Sequence, residues 1–253
     1  MAERESVNEF FDRNAEKYAK STSHAKGRDL SILISRLRTD SAMKALDVAT
    51  GTGFTAVELS GAVGEMFAVD RTTGMLERAR NLSEERRAAN MRFVMSDATA
   101  LPFHDAAFDI ITCRRAAHHF RDKDAFLSEV HRCLNAGGQF ALVDMAAPEG
   151  FKDPYNAFER ARDSSHEKAE TFSHWRELIE SHGFEVSSTY VEEEKVSFDK
   201  WLYPVEPDTE EGRRCRRFLE RTGKEFLGAI DYNKESDTFV KRRVIIISAR
   251  RRQ

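Results

Sequence analysis

The sequence is poor in residues that would cross-link the chain or hold a structural metal ion. It has three cysteines, Cys113, Cys133 and Cys215, which are widely spaced and form no CxxC motif. Three distant cysteines cannot all pair, and structural zinc sites usually draw on cysteines that are close in sequence. We therefore expect neither a disulfide framework nor a structural zinc site.

Long apolar runs and a secretion signal are also missing. The apolar segment 244–249 is far shorter than the roughly 20 residues that a membrane-spanning helix needs. The amino-terminal stretch MAERESVNEF is charged, whereas a signal peptide has an apolar stretch. These absences predict a cytoplasmic protein without a membrane span.

An excess of positive charge is absent as well. The 253 residues include 40 lysines and arginines against 43 aspartates and glutamates, which gives a net charge of −3. Nucleic-acid-binding proteins usually carry a basic surface. The basic clusters at 213–217 and 250–252 are better interpreted as a solvated helix face and a chain end, because acidic residues accompany them. We expect no nucleic-acid partner.

The sequence does contain a regular alternation of apolar runs and polar helical stretches after residue 43. Strands are predicted at KALDVA (44–49), MFAVD (66–70), MRFVMSD (91–97), FDIITC (108–113), GQFALVD (138–144), 185–198 and 242–249, and helices at 55–63, 73–88, 123–134, 156–170 and 173–184. This order predicts an α/β fold, a Rossmann-like doubly wound sheet of about seven strands. The sheet should be mostly parallel, end in an antiparallel hairpin and carry a helical lid.

The segment DVATGTGFTA (47–56) contains a glycine loop between a predicted strand and a predicted helix. Gly51, Gly53 and Ala56 satisfy the pattern G-x-G-x-x-G/A, and Asp70 closes the next strand. This arrangement matches a dinucleotide-binding fingerprint, in which glycines let the backbone approach the ligand and the aspartate accepts from ribose hydroxyls. Glycines also serve simply as a tight turn, but Asp70 at this spacing favours a ligand.

Two further aspartates separate the candidate ligands. Asp47 at the start of the loop would repel the pyrophosphate of a dinucleotide, but it would favour the ammonium and sulfonium of S-adenosylmethionine. Asp97 and Ala98, in SDATALPF, follow the third strand, where a carboxylate and the next backbone amide can read the edge of an adenine. Each aspartate also has a simpler interpretation as a turn or helix cap.

These motifs together resemble the class I S-adenosylmethionine-dependent methyltransferases. The resemblance rests on LDVATGTG, AVD followed by GML, SDATALPF, FDIITCRRAAHHF and RCLNAGGQFALVD. Together with the amino-terminal FFDRNAEKY, these motifs resemble more narrowly the branch that includes the ubiquinone/menaquinone-biosynthesis methyltransferases and their small-molecule relatives. The resemblance covers residues 8–148 closely and the remainder in outline.

The resemblance implies S-adenosyl-L-methionine as the cofactor. Asp70 would hold the ribose hydroxyls, and Asp47 would support the glycine loop. The other implied contacts are Ala49, Thr50, Gly51, Gly53 and the backbone of Arg114 around the methionine part, and Arg71, Met75, Asp97 and Ala98 around the adenine. Tyr18 would reach in from the amino-terminal helix to close the pocket. The sequence departs from the family pattern at Ala49, where glycine is usual, and at Ala136, where proline is usual.

The implied function is metal-independent methyl transfer to a small-molecule acceptor by in-line displacement, within a single methyltransferase domain over 1–253. Residues 40–148 would form the cofactor-binding core, 5–30 an amino-terminal lid, and 150–170 and 199–238 further lid segments at the acceptor site. Aromatic residues that would line this lid, or pack inside it, are Phe10, Phe11, Phe151, Tyr155, Phe158 and Trp201. An NAD-dependent oxidoreductase and a non-catalytic cofactor-binding protein remain alternatives, and a homodimer remains open.

The adjacent His118 and His119, after the fourth strand, are the candidate catalytic residues. Neighbouring side chains diverge on a strand or a helix, and no further ligands stand at metal-binding spacing, so the pattern disfavours zinc. Imidazole could take a proton from the acceptor. Packing is the alternative, and because the two side chains should point apart, we expect at least one of them only to pack.

Overall fold

In the computed structural model, the described part of the chain comprises Glu16, Ala25, residues 27–203 and residues 205–251, with the backbone alone for 247–251. Its first complete helix is α1 (Arg28–Arg36), which buries Leu30 and Leu33 as its apolar spacing predicts. Most of the predicted lid segment 5–30, including Tyr18, Phe10 and Phe11, lies outside the described residues.

The first half alternates strands and helices as predicted. The elements are β1 (Lys44–Val48), α2 (Phe54–Ser60), β2 (Glu65–Asp70), α3 (Thr73–Glu85), β3 (Met91–Met95), β4 (Phe108–Arg114), α4 (Lys123–Cys133) and β5 (Leu134–Ala147). A single turn of 3₁₀ helix, Ala117–His119, lies between β4 and α4.

The second half adds helices and completes the sheet. The elements are α5 (Lys152–Arg162), β6 (Glu170–Thr171), α6 (Phe172–Ser181), β7 (Phe184–Ser197), α7 (Phe198–Leu202), α8 (Glu210–Arg221), α9 (Lys224–Ala229) and β8 (Thr238–Arg251). None of the helices in the described residues is long and apolar enough to cross a membrane.

The described strands form one sheet of eight in the order β3-β2-β1-β4-β5-β8-β7, with the short β6 beside β5. β8 runs antiparallel to β5 and to β7, whereas the other pairs are parallel. The predicted fold class is confirmed, and the strand beyond the predicted seven is the two-residue β6. The order reverses at β1, which pairs with β2 on one side and β4 on the other, and such a switch point leaves a crevice at the carboxyl edge of a parallel sheet.

Apolar side chains fill both faces of the sheet. One face packs against α4 and α6, where Phe126 and Trp175 are fully buried, and the other packs against α1 and α2, where Leu33 and Leu59 are fully buried. Strands covered on both faces need nearly continuous apolar residues, which explains the short apolar runs of the sequence. The parallel pairing of β1 with β2 and with β4 places the carboxyl ends of these strands next to one another.

A third cluster of apolar side chains joins the two segments predicted as separate lid insertions. Phe158 of α5 stacks on Trp201 of α7, with ring centroids 4.1 Å apart and planes 8° from parallel. Tyr155 is buried in the same cluster, and Phe151 packs against it. Among the predicted lid aromatics, these four therefore pack within this cluster instead of forming an exposed lining.

The last strand begins earlier than predicted, at Thr238 instead of residue 242. Its first residues are paired with the end of β7, where Lys241 lies opposite Glu194 and Arg242 opposite Glu193. The Arg242 and Glu193 side chains form an ion pair of 2.8 Å. Opposite charges on facing strands stabilise this antiparallel pairing, which apolar periodicity does not reveal.

Candidate active site

A cleft opens at the carboxyl edge of the sheet, beside the switch point at β1. Its volume is about 820 Å³, which includes space open to the solvent, and we refer to it as the loop cleft. The predicted site residues that line it are Ala49, Thr50, Gly51, Asp70, Arg71, Met75, Arg114 and His119. The structure thus brings together residues that are up to 70 positions apart in sequence.

A second cleft lies beside the end of β3, and we refer to it as the β3 cleft. Asp97 and Ala98 line it. Ala49, Asp70 and His119 line both clefts. The two spaces therefore adjoin each other at the glycine loop, the end of β2 and the histidine segment.

The glycine loop uses backbone conformations that side chains disfavour. The φ angles are 53° at Ala49, 56° at Gly51 and 88° at Gly53, all in the left-handed region. An alanine in this region is strained by about 1–2 kcal/mol. Ala49, which stands where the family usually has glycine, therefore adds strain to the loop. A Cβ at Gly53 would lie 2.8 Å from the Cβ of Ala79, so the contact between α2 and α3 itself requires glycine.

Gly53→Ala is expected to have a free energy of unfolding about 1–3 kcal/mol below that of Gly51→Ala, since only position 53 is overpacked. A Cβ at Gly51 meets no protein atom within 4 Å, so its variant bears backbone strain alone. Urea unfolding of both variants measures the difference. Equal destabilisation would show that the α2–α3 contact relaxes around the added methyl group.

Asp47 lies beneath the glycine loop and lines neither cleft. Its carboxylate accepts hydrogen bonds from the hydroxyls of Thr50, at 2.7 Å, and Thr112, at 2.6 Å. Burial raises the pKa of Asp47 to about 6. These contacts fit the predicted support of the glycine loop by Asp47.

Asp70 is placed at the point where the two clefts meet. One carboxylate oxygen accepts from the Gly51 amide at 2.8 Å, and the other accepts from the Thr72 amide at 2.9 Å. Burial raises its pKa, although the hydrogen bonds to the carboxylate act in the opposite direction. Because a carboxylate has about four lone-pair positions, both oxygens can accept further hydrogen bonds from a ligand.

Arg71 and Asp97 form the outer rim of the β3 cleft. Their side chains lie 3.5 Å apart and are each about half exposed. Asp97 also accepts from the amide and hydroxyl of Thr99, at 2.9 and 2.7 Å. Burial raises the pKa of Asp97, but the Thr99 hydrogen bonds and the Arg71 charge outweigh it and lower the pKa overall. Asp97 is therefore an ionised hydrogen-bond acceptor at this edge.

Arg114 and Arg115 leave β4 and share one buried carboxylate, that of Asp29 in α1. The two oxygens of Asp29 accept from Arg114 at 2.8 and 3.0 Å and from Arg115 at 2.8 and 2.7 Å. Both arginines hold the pKa of Asp29 well below its usual range, although burial raises it. Asp29 was not predicted as a site residue, although a lone acidic residue beside the buried Leu30 and Leu33 of α1 was an available signal.

The two histidines have different surroundings. His119 lines both clefts, whereas His118 is buried behind it and lines neither. The Nδ1 atom of His118 lies 2.5 Å from Oδ1 of Asp144, near the end of β5. The Nδ1 atom of His119 lies 3.1 Å from the carbonyl oxygen of Ser165. Asp144 and Ser165 were not predicted, because neither is close to the histidines in sequence.

The expected divergence of the two histidine rings is wrong. Their centroids are 4.0 Å apart, with a tilt of 45°, and His166 lies 5.5 Å from His118. The two residues lie in one turn of 3₁₀ helix, and although their rings are in contact, only His119 lines the clefts. In the described part of the chain, no group of three His, Cys, Asp or Glu residues could hold a metal ion.

The cleft residues fit an adenosyl cofactor. The loop leaves room at Gly51, Met75 supplies an apolar wall, and Asp70 and Asp97 supply carboxylates for hydroxyl and amino groups. Gly53 lies outside both clefts and shapes the loop through its contact with Ala79. Tyr18, the remaining predicted contact, lies outside the described residues.

A family model described as a methyltransferase domain matches residues 39–220. The chain belongs to this family. YcgJ of Bacillus subtilis (strain 168), named an uncharacterized methyltransferase, is 36% identical over 197 residues, or 76% of this chain and 77% of YcgJ. The ubiquinone/menaquinone biosynthesis C-methyltransferase UbiE of Idiomarina loihiensis is 36% identical over 110 residues, or 42% of this chain and 44% of UbiE.

Solved structures agree with this family membership. The crystal structure of Bacillus subtilis YcgJ has a TM-score of 0.83 at 29% identity, covering 89% of this chain and 99% of that one. The BH2331 protein of Bacillus halodurans C-125 has a TM-score of 0.83 at 32% identity, covering 90% and 100%. The protein is a class I methyltransferase with S-adenosyl-L-methionine as its cofactor. The NAD-dependent oxidoreductase alternative is thereby set aside.

Proposed function

We propose that this methyltransferase methylates a small molecule, without a metal ion, where the loop cleft and the β3 cleft meet. The observation that carries the proposal is the position of His119, which lines both clefts together with Ala49 and Asp70. A group at this junction can contact a bound cofactor and an acceptor at once.

The predicted contacts assign a part of the cofactor to each cleft. Asp70, at the junction, binds the ribose hydroxyls, and Asp97 and Ala98 bind the adenine in the β3 cleft. The glycine loop and the backbone of Arg114 hold the methionine part in the loop cleft. When bound, the cofactor supplies an electrophilic methyl group on its sulfonium. The chain contributes chiefly by holding the acceptor in line with that methyl group, which can be worth several kcal/mol.

His119 is the candidate general base for the acceptor. Nδ1 of His119 lies 3.1 Å from the Ser165 carbonyl and 3.2 Å from Ser165 Oγ, whose own proton is donated to Asp163 at 2.6 Å. Both oxygens therefore act as acceptors, so in the neutral ring Nδ1 carries the proton and Nε2 carries the basic lone pair. Burial, and then the neighbouring His118, lower the pKa of His119 to about 4. The imidazole is therefore neutral at pH 7 and can accept the proton that an O–H or N–H acceptor loses.

One observation supports a small molecule as the acceptor. The net charge of −3 is unfavourable for a nucleic-acid substrate. The similarity to UbiE covers 42% of the chain, so it does not identify the acceptor of this protein.

A screen of quinols, phenols, carboxylates and amines is the direct test, with formation of S-adenosylhomocysteine as the readout. We expect turnover with one of these classes, and we expect EDTA to leave the rate unchanged. Loss of activity on chelation, restored by a divalent ion, would contradict the metal-independent part. Cofactor binding without turnover on any acceptor would instead favour the non-catalytic alternative.

A further inference from the structure

Behind the clefts lies a buried carboxylate that contacts the histidine segment and lines neither cleft. Asp144 is fully buried near the end of β5. Its Oδ1 atom lies 2.5 Å from Nδ1 of His118 and accepts from the Met145 amide at 2.9 Å, while Oδ2 has no hydrogen-bond partner among the described residues. Burying a carboxylate with one unpaired oxygen is unfavourable unless its other contacts compensate.

The charges around Asp144 favour its ionised form. Burial raises its pKa, but the contact with His118 and the charge of Lys123 lower it overall. The Lys123 ammonium is itself held nearby, donating to the Phe120 carbonyl at 3.1 Å. Asp144 therefore faces His118 as an anion and fixes Nδ1 of His118 as the donor.

His118 transmits this constraint to His119 in two ways. The rings pack on each other with centroids 4.0 Å apart. In addition, the His118 carbonyl accepts from the amides of Glu167 and Lys168, at 3.0 and 2.9 Å. These bonds anchor the turn that presents the Ser165 carbonyl to Nδ1 of His119. A change in the position of His118 would consequently disturb both the ring contact and the hydrogen bond that sets the tautomer of His119.

We propose that Asp144 is a positioning residue, which acts through His118 to hold the His119 ring and its basic Nε2 at the junction of the clefts. The inference rests on the proposed function of His119 as the base. No proton needs to reach Asp144, since the proton lost by the acceptor stays on His119 until it exchanges with solvent.

Asp144→Asn is the test, because it preserves the shape of the side chain and removes its charge. We expect kcat to fall about tenfold, as when a charge-assisted hydrogen bond is replaced by a neutral one, with the KM for S-adenosylmethionine unchanged. The matched control is Asp109→Asn, in a carboxylate that accepts from the Lys44 amide and Asn135 away from the clefts. The control should keep the parent kcat.

A second readout needs no acceptor. The imidazole ¹⁵N resonances of the parent should show His119 protonated at Nδ1, and Asp144→Asn should shift them or mix the tautomers. His118→Asn, whose amide nitrogen can replace Nδ1 as the donor to Asp144 but which lacks the ring, should have the same effect if Asp144→Asn does not fold. Unchanged His119 resonances in a folded variant would overturn the proposal.

The double variant separates this inference from the proposed function. In a His119→Ala background, Asp144→Asn should cause no further loss of kcat, because both changes act on one group. Full activity of His119→Ala would refute the base and the inference together. A large loss in His119→Ala with a normal Asp144→Asn would refute the positioning role alone.

Discussion

His119→Ala is expected to lower turnover by about 10²–10⁴-fold, the usual contribution of a general base, while the protein still binds S-adenosylhomocysteine. The ring lines both clefts, and its Nδ1 is held by the Ser165 carbonyl, so its removal leaves no other neutral imidazole facing them among the described residues. Steady-state kinetics with an identified acceptor, together with calorimetric titration of the product, measure the two effects separately.

The pH dependence sharpens this expectation. With a pKa of about 4, His119 is already deprotonated at pH 6, so the parent should not lose its base between pH 8 and 6. The loss in His119→Ala should shrink at high pH, where an acidic acceptor ionises unaided. A deficit that stays constant up to pH 10 would contradict proton transfer, unless the acceptor has no acidic hydrogen.

Stability provides the control for a role in packing. The folded-state pKa of His119, about 4, is below the unfolded value of about 6.5, so the unfolded chain binds more protons between these pH values. The free energy of unfolding therefore falls as the pH drops through this window, and His119→Ala should reduce that fall. If this variant only loses stability, with turnover per folded molecule within a few-fold of the parent, His119 is a packing residue.

The core of the fold could be predicted from the sequence because its signals are local. Each buried strand is a short apolar run, and positions 51 and 53 need glycine for reasons contained within the loop and its neighbouring helices. The order of these elements then determines which strand ends are neighbours. That is why Asp70 and Asp97, both at strand ends, could be placed at one edge from the sequence alone.

The remainder of the site depends on contacts between distant residues. Asp29 meets Arg114 across 85 positions, and Ser165 meets His119 across 46, with no periodicity to indicate either pair. The sequence placed Asp144 in a predicted strand. A buried strand position, however, does not indicate which side chain the residue will face. The first residues of β8 were not predicted as a strand for a related reason, because the charged partners that stabilise them lie on β7.

Asp70→Ala is expected to weaken the binding of S-adenosylhomocysteine by about 2–4 kcal/mol, since charge-assisted hydrogen bonds are worth about 1.5–3 kcal/mol each and water recovers a part. The same variant also removes the acceptors of the Gly51 and Thr72 amides. Asp70→Asn is therefore the more informative change, because it keeps one acceptor oxygen and the side-chain volume. It should lose most of the affinity and less of the stability.

Asp47→Asn is the matched control, because Asp47 supports the same loop through Thr50 and lines neither cleft. Burial raises the pKa of Asp47 to about 6, above its unfolded value of about 3.9, so the ionised carboxylate opposes folding at pH 7 and a neutral amide should be tolerated. Calorimetric titration should thus show weak cofactor binding for Asp70→Asn and nearly parental binding for Asp47→Asn. The reverse order would mean that the shape of the loop, and not hydrogen bonding to the ribose, determines the affinity at this edge.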